Sequence, residues 1–208
     1  MKQIKLIIII FITFLSSPSW SETLTIDDLV ETNGLYYKKF TDVPFNGEIS
    51  GIESGKFLNG KRDGQWKNYY ESGRLKSRKN YKDGKRDGLW EYFYDNGKLW
   101  EKINYKDGKL DGLRERFYGN GQLETKGTFK DGKEEGLWEW YDENGKLQGK
   151  TNFKDGKEDG LWEFFHDNGQ LKSKGNYKDG KEDGLWELFY EDGTLEKTET
   201  YKDGELVE

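Results

Sequence analysis

The chain has no cysteine, so no disulfide can brace it, and a thiol-based triad is excluded. Its single histidine, His166, leaves a serine or cysteine triad and a histidine-rich metal site without their parts. There is no excess of positive charge: 34 Lys and Arg stand against 40 Asp and Glu, a net of −6. Nucleic acid and anionic membrane surfaces, which need a basic footprint, are therefore disfavoured as partners. Apolar residues are scarce, 32% against 36% charged, which is too few for a thick globular core. The Gly-x-x-x-Gly spacings that begin at the Asp-Gly turns, such as Gly108 and Gly112, are not followed by Lys-Ser or Lys-Thr and open no helix pattern, so a phosphate loop is rejected there.

What the chain does have is aromatic residues, 16% of the total, set at fixed intervals. From Gly64 the sequence repeats every 24 residues without a slip. Gly64, Gly88, Gly112, Gly136, Gly160 and Gly184 share one register; Trp66, Trp90, Trp138, Trp162 and Trp186 follow two residues later, with Arg114 in the third slot. Leu75 to Leu195 and then Tyr81, Tyr105, Phe129, Phe153, Tyr177 and Tyr201 keep the same step. A fixed period of this length marks a repeat array whose units contact mainly their neighbours.

Each unit holds two alternating segments and two turn signals, one typified by Asn96-Gly97 and the other by Asp107-Gly108. Both dipeptides favour the two-residue type I′ turn, which needs positive φ at both central positions. The expected fold is all-β: an elongated single-layer antiparallel meander of stacked hairpins. With Asn96 and Gly97 at the turn, Glu91 faces Lys102, and later units pair Glu115 with Lys126, Glu139 with Lys150 and Glu163 with Lys174. A slip by one would oppose Glu91 to Glu101, so the charges favour this register. Carried through the Asp-Gly turns, it places every Trp on one face, Trp138 between Thr125 and Thr151 and Trp162 between Gly149 and Gly175. The opposite face carries the Glu–Lys pairs, with Leu89 and Phe93 between them.

Chemistry finds little foothold. The Glu91, Glu115, Glu139, Glu163 and Glu187 column has neighbours about 10 Å apart, two strand spacings, too far for two carboxylates to act on one bond. His166 occupies a slot filled by Tyr94, Tyr118 and Tyr190 and reads as a tolerated substitution. Lys-Asp-Gly-Lys-Glu-Asp-Gly strings lack the alternating oxygen ligands and closing Glu of a calcium loop. No catalytic residue, metal ligand or cofactor is expected.

Three regions are expected. Residues 1–21 read as a signal peptide: Lys2 and Lys5 begin it, an apolar run extends from Leu6 to Leu15, and Ser19 and Ser21 offer small residues for cleavage. No cysteine follows that run, which excludes a lipid-anchored start. Its removal takes away two lysines and no acid, moving the net charge from −6 to −8. Residues 22–56 form a lead-in with a degenerate capping unit beginning near Phe45, and residues 57–208 hold six repeats.

The string YKDGKLDGLWEYFYDNGKL resembles the MORN repeat, in its bacterial variant with the pattern YxDGKxxGxWxxYxxNGxL. The resemblance covers Phe57 to Glu208 in six consecutive copies, and LYYKKFTDVPFNGEISG (Leu35 to Gly51) is similar to the lead-in before such arrays in exported bacterial proteins. It implies stacked hairpins with a scaffolding, protein-contact or lipid-contact role, and such chains often carry a YwqK-type antitoxin label. The departure is at Arg114 and Arg116, where the pattern expects a Trp and an aromatic.

The expectation is a non-enzymatic exported binding or scaffold module, periplasmic or extracellular, with a protein partner. Its candidate binding face is Trp66, Trp90, Tyr92, Trp138, Trp140, Trp162 and Trp186, with Arg114 and Arg116 as the break in that face. The alternatives are an antitoxin-like protein that binds a toxin and a glycan- or lipid-contacting surface protein, the lipid reading disfavoured by net charge. A small-molecule substrate is not inferred.

Overall fold

The computed structural model describes residues 23–207, so the expected signal segment lies outside the described residues. After a 3₁₀ turn at Ile26–Asp28, strands β1 (Leu29–Thr32) and β2 (Leu35–Lys38) form a separate hairpin. Strands β3 (Gly47–Ile49), β4 (Glu53–Leu58) and β5 (Lys61–Tyr69) then open one antiparallel meander that continues to Leu195–Lys202 and Glu205–Leu206. Within the meander each strand pairs with the one before it, the short pieces Lys85–Arg86 and Lys181–Glu182 pairing with the same strand as the segments that follow them, and among the described residues no register joins the last strand back to the first. The meander is therefore an open sheet.

The two turn signals fold differently. At the Asp-Gly sites both residues have positive φ, for example Asp107 at 49° and Gly108 at 90°, and Lys106 pairs with Lys109: a two-residue type I′ turn as expected. Each of these turns also reaches back one unit, as when the Gly108 N–H donates to the Arg86 carbonyl at 2.8 Å. At the Asn-Gly sites only the glycine has positive φ, 84° at Gly97. The Tyr94 N–H donates to the Lys98 carbonyl, so three residues, Asp95 to Gly97, form the turn. The expected two-residue turn is corrected here, yet the Glu91–Lys102 register stands, because a bulge at Trp100 adds back the residue that the longer turn removes.

The Asp-Gly side carries a larger irregularity. Tyr105 faces Leu110, but Ile103 faces Arg114, so Asp111, Gly112 and Leu113 together oppose Asn104. Gly112 takes a φ of 111° in this double bulge, which explains a glycine at this step of every unit. Asn104 closes the gap by donating its Nδ2–H to the Leu113 carbonyl at 3.1 Å. A shift of two keeps every side chain on its expected face and moves its neighbour by two. Trp162 therefore lies between Thr151 and Gly175 rather than beside Gly149. Trp138 lies between Thr151 and Gly127 rather than beside Thr125, with its ring directly over Gly127.

The sheet has one layer, and its Trp-bearing face serves as its own core. Trp66, Trp90, Trp138 and Trp186 are buried beneath neighbouring rings, as in the run Phe57, Trp66, Tyr81, Trp90 and Tyr105 with centroids 4.8 to 6.2 Å apart. At the first end, Leu29, Ile49, Phe57 and Trp66 form a cluster to which Leu24, Ile26, Tyr36 and Phe45 add cover. The β1–β2 hairpin thus caps the array.

Candidate functional site

On the Trp face two rows run along the array. The inner row is the Trp column. Trp66, Trp138 and Trp186 press on Gly55, Gly127 and Gly175 so closely that an added Cβ would sit 2.1 to 2.3 Å from the ring. These indoles are packed away and present little surface: Trp66 has an exposure of 0%. The outer row is half-buried and consists of Tyr92, Trp100, Arg116, Trp140 and Phe164. Trp162, also half-buried, stacks on Phe164 at 5.6 Å with an 11° interplanar angle. Of the residues expected to form a binding face, Tyr92, Trp140, Trp162, Arg114 and Arg116 are therefore accessible in part, and Trp66, Trp90, Trp138 and Trp186 are not.

The break at Arg114 has a local cause. Arg114 Nε donates to Glu101 Oε1 at 2.8 Å, with Nη2 2.7 Å from the same oxygen. Glu101 is buried, at a step where other units carry Ser77, Thr125, Gly149 or Ser173. The cation that replaces Trp is thus matched by an acid on the preceding strand. Arg116 lies 5.8 Å from the Trp100 ring and 3.8 Å from Glu124. Both guanidinium groups are engaged within the sheet.

A graded series runs through a position that the shared pattern passes over. The residue two before each bulge glycine reads Arg62, Arg86, Leu110, Glu134, Glu158, Glu182. Its side chain lies on the Trp face: Arg62 is 4.3 Å from the Trp66 ring and Arg86 is 5.0 Å from Trp90. The face is cationic at its capped end and anionic at the other. Burial raises the Glu158 carboxyl above its ordinary range. The signal is present in the 24-residue alignment, but it lies in the residue that varies rather than in those that recur.

The opposite face carries an alternating charge ladder. Arg78–Glu91, Lys102–Glu115, Lys126–Glu139, Lys150–Glu163 and Lys174–Glu187 close at 2.5 to 2.8 Å. The register places each lysine between two glutamates, and its ion pair forms with the later one, across the double-bulge side. Beside the ladder runs a column of half-exposed leucines, Leu89, Leu113, Leu137, Leu161 and Leu185, with 37 to 53% of their surface free. His166 takes a structural place: its Nε2 lies 2.8 Å from the Phe189 carbonyl, just as the Tyr94 and Tyr118 hydroxyls donate to the carbonyls of Phe117 and Tyr141. Among the described residues no group of three His, Asp or Glu is placed to hold a metal ion.

The family model described as the MORN repeat variant matches residues 62–83, 86–107, 110–131, 134–155, 158–179 and 182–203, more than half of the chain. The chain belongs to the MORN-repeat family. Each matched segment starts at the graded Arg/Leu/Glu position and ends on the Asp of the type I′ turn, so one MORN unit here is one bulged strand, one three-residue turn and one returning strand. No curated protein matches the chain significantly. Among solved structures, a mutant of S. aureus TarM in complex with fondaparinux, alpha-GlcNAc-glycerol and UDP is 14% identical over 55% of this chain and 21% of its own, with a TM-score of 0.32. A GtfA/B complex bound to UDP and GlcNAc is 11% identical over 77% of this chain and 28% of its own, with a TM-score of 0.25. The MORN chain thus spans less than a third of either, and likeness at this level carries no functional argument.

Proposed function

We propose that this MORN array is an exported, non-catalytic binding or scaffolding module whose protein partner lies along the half-buried outer row of the Trp face. The observation that supports this reading is the division of labour between rows. The inner indoles buried on the sheet are used up in covering it, whereas Tyr92, Trp140 and Phe164 share one slot of their units and, with Trp100 5.8 Å from Tyr92, offer half-buried ring surface along the array. Aromatic surface of this kind is enriched where proteins meet. An antitoxin-like role would use the same surface with a toxin as its occupant.

The leucine column favours a second reading, in which the partner contacts the charged face, since it is the more exposed of the two apolar rows. The faces can be told apart. Proximity labelling on the intact protein identifies a partner, and its affinity is then measured for Trp140→Ser with Phe164→Ser and for Leu137→Ser with Leu161→Ser. Loss in the first pair only supports the Trp face, and loss in the second pair only moves the site to the leucines. Labelling confined to the cytoplasm would overturn the exported assignment.

A further inference from the structure

We propose that the cleft between the β1–β2 hairpin and the first two type I′ turns of the array binds a soluble phosphate- or sulfate-type oxyanion. The cleft has a volume of about 410 Å³ and is lined by Tyr36, Lys61, Arg62, Tyr81 and Arg86, with Glu31 as its one carboxylate. That volume lies within the range of small-ligand sites. Three cations against one acid is a local inversion of the chain's net charge of −6.

Two of the three cations are not consumed by ion pairs. Arg62 is held by Glu53 and stacks on Trp66, which fixes its place in the wall. Arg86 has no carboxylate partner among the described residues. It is steadied by the Trp90 and Tyr105 rings at 5.0 and 5.2 Å and by the Tyr105 hydroxyl, 3.2 Å from its Nη1. Guanidinium groups braced by rings keep their N–H donors pre-aimed, and their fork geometry suits tetrahedral oxyanions. Lys61 has counterparts in Lys109 and Lys133, which lie 3.9 and 3.6 Å from Asp131 and Asp155; Lys61 has no such carboxylate among the described residues. Just beyond Arg86, the half-buried Lys79 ammonium lies 5.2 Å from the Trp90 ring, where other units carry Ile103, Gly127, Thr151 or Gly175. Burial lowers its pKa, and Arg62, Arg86 and Lys76 push the same way against Glu53. A cluster of like charges costs stability unless something anionic joins it.

The graded series makes the site single. Where the cleft has Arg62 and Arg86, later units have Glu134, Glu158 and Glu182, so the same register repels an anion further along. That acidic stretch also opposes approach to an anionic lipid surface, which leaves a free oxyanion as the ligand. The site goes beyond the partner-binding reading and does not depend on it.

The test is calorimetric titration of the full chain with inorganic pyrophosphate at low salt. One saturable site per chain is expected, weakened at least tenfold in Arg86→Gln and in Lys61→Gln. Both residues are exposed, and a native circular dichroism spectrum checks that each variant folds. Lys157→Gln, at the Lys61 step four units on, should bind as the parent does. Absence of saturable binding, equal affinity in all variants, or equal loss in Lys157→Gln would overturn the site. Co-sedimentation with phosphatidylglycerol vesicles without binding of free pyrophosphate would overturn the soluble ligand.

Discussion

At the scale of single residues, the array is most informative where it departs from its own pattern. Arg114 stands in a Trp slot and remains there because Glu101 is buried against it. Arg114→Ala should leave that carboxylate without its partner and lower stability by about 1–3 kcal/mol. Arg114→Trp combined with Glu101→Ser restores the arrangement of the other units and should recover most of the loss; a double-mutant cycle of thermal melts measures it. Glu158 makes a pH-dependent case. Burial raises its folded carboxyl above the unfolded value, so the proton is bound more tightly in the folded chain. Its contribution is fully present below the unfolded pKa and is lost as pH rises through the folded one. Glu158→Gln should therefore raise the melting midpoint at pH 7 and lose that advantage as pH falls below about 4.5.

At the scale of the hairpin, much of the fold was legible. The period, the two strands per unit, the Glu91–Lys102 register and the separation of faces all follow from spacing and charge. The double bulge did not follow, because its signal is a lone glycine beside an Asp-Gly turn, and a shift of two residues leaves every face unchanged. Only the identity of the residue beneath each Trp reveals it. Gly127→Ala tests the bulged register: its Cβ would meet the Trp138 ring at 2.1 Å and should destabilise by about 1–3 kcal/mol, as overpacking does. Gly119→Ala meets nothing within 4 Å and should be neutral or mildly stabilising on the same melts. The candidate face was legible as a stripe but not as two rows, since periodicity places a side chain on a face without saying which ring covers which. Nor did the charge gradient show in the shared residues, as it resides in a position that changes identity along the chain.

At the scale of the whole molecule, the cap and the gradient give a repetitive sheet two unlike ends. Leu29, Ile49, Phe57 and Trp66 close one end, and Glu182 and Glu199 lie toward the other. Successive units meet through laddered backbone contacts, such as the Gly108 to Arg86 and Gly132 to Leu110 hydrogen bonds. Since the strands run across the direction in which units succeed one another, tension applied between Ser54 and Thr200 loads those bonds in sequence, like the teeth of a zip. Each released unit would turn about 10 Å of array into about 80 Å of slack chain. Force spectroscopy should show low, evenly spaced steps of about 70 Å, and a single high-force rupture would contradict this. Pulled along this axis, the array should lengthen in increments, one unit at a time, rather than fail at once.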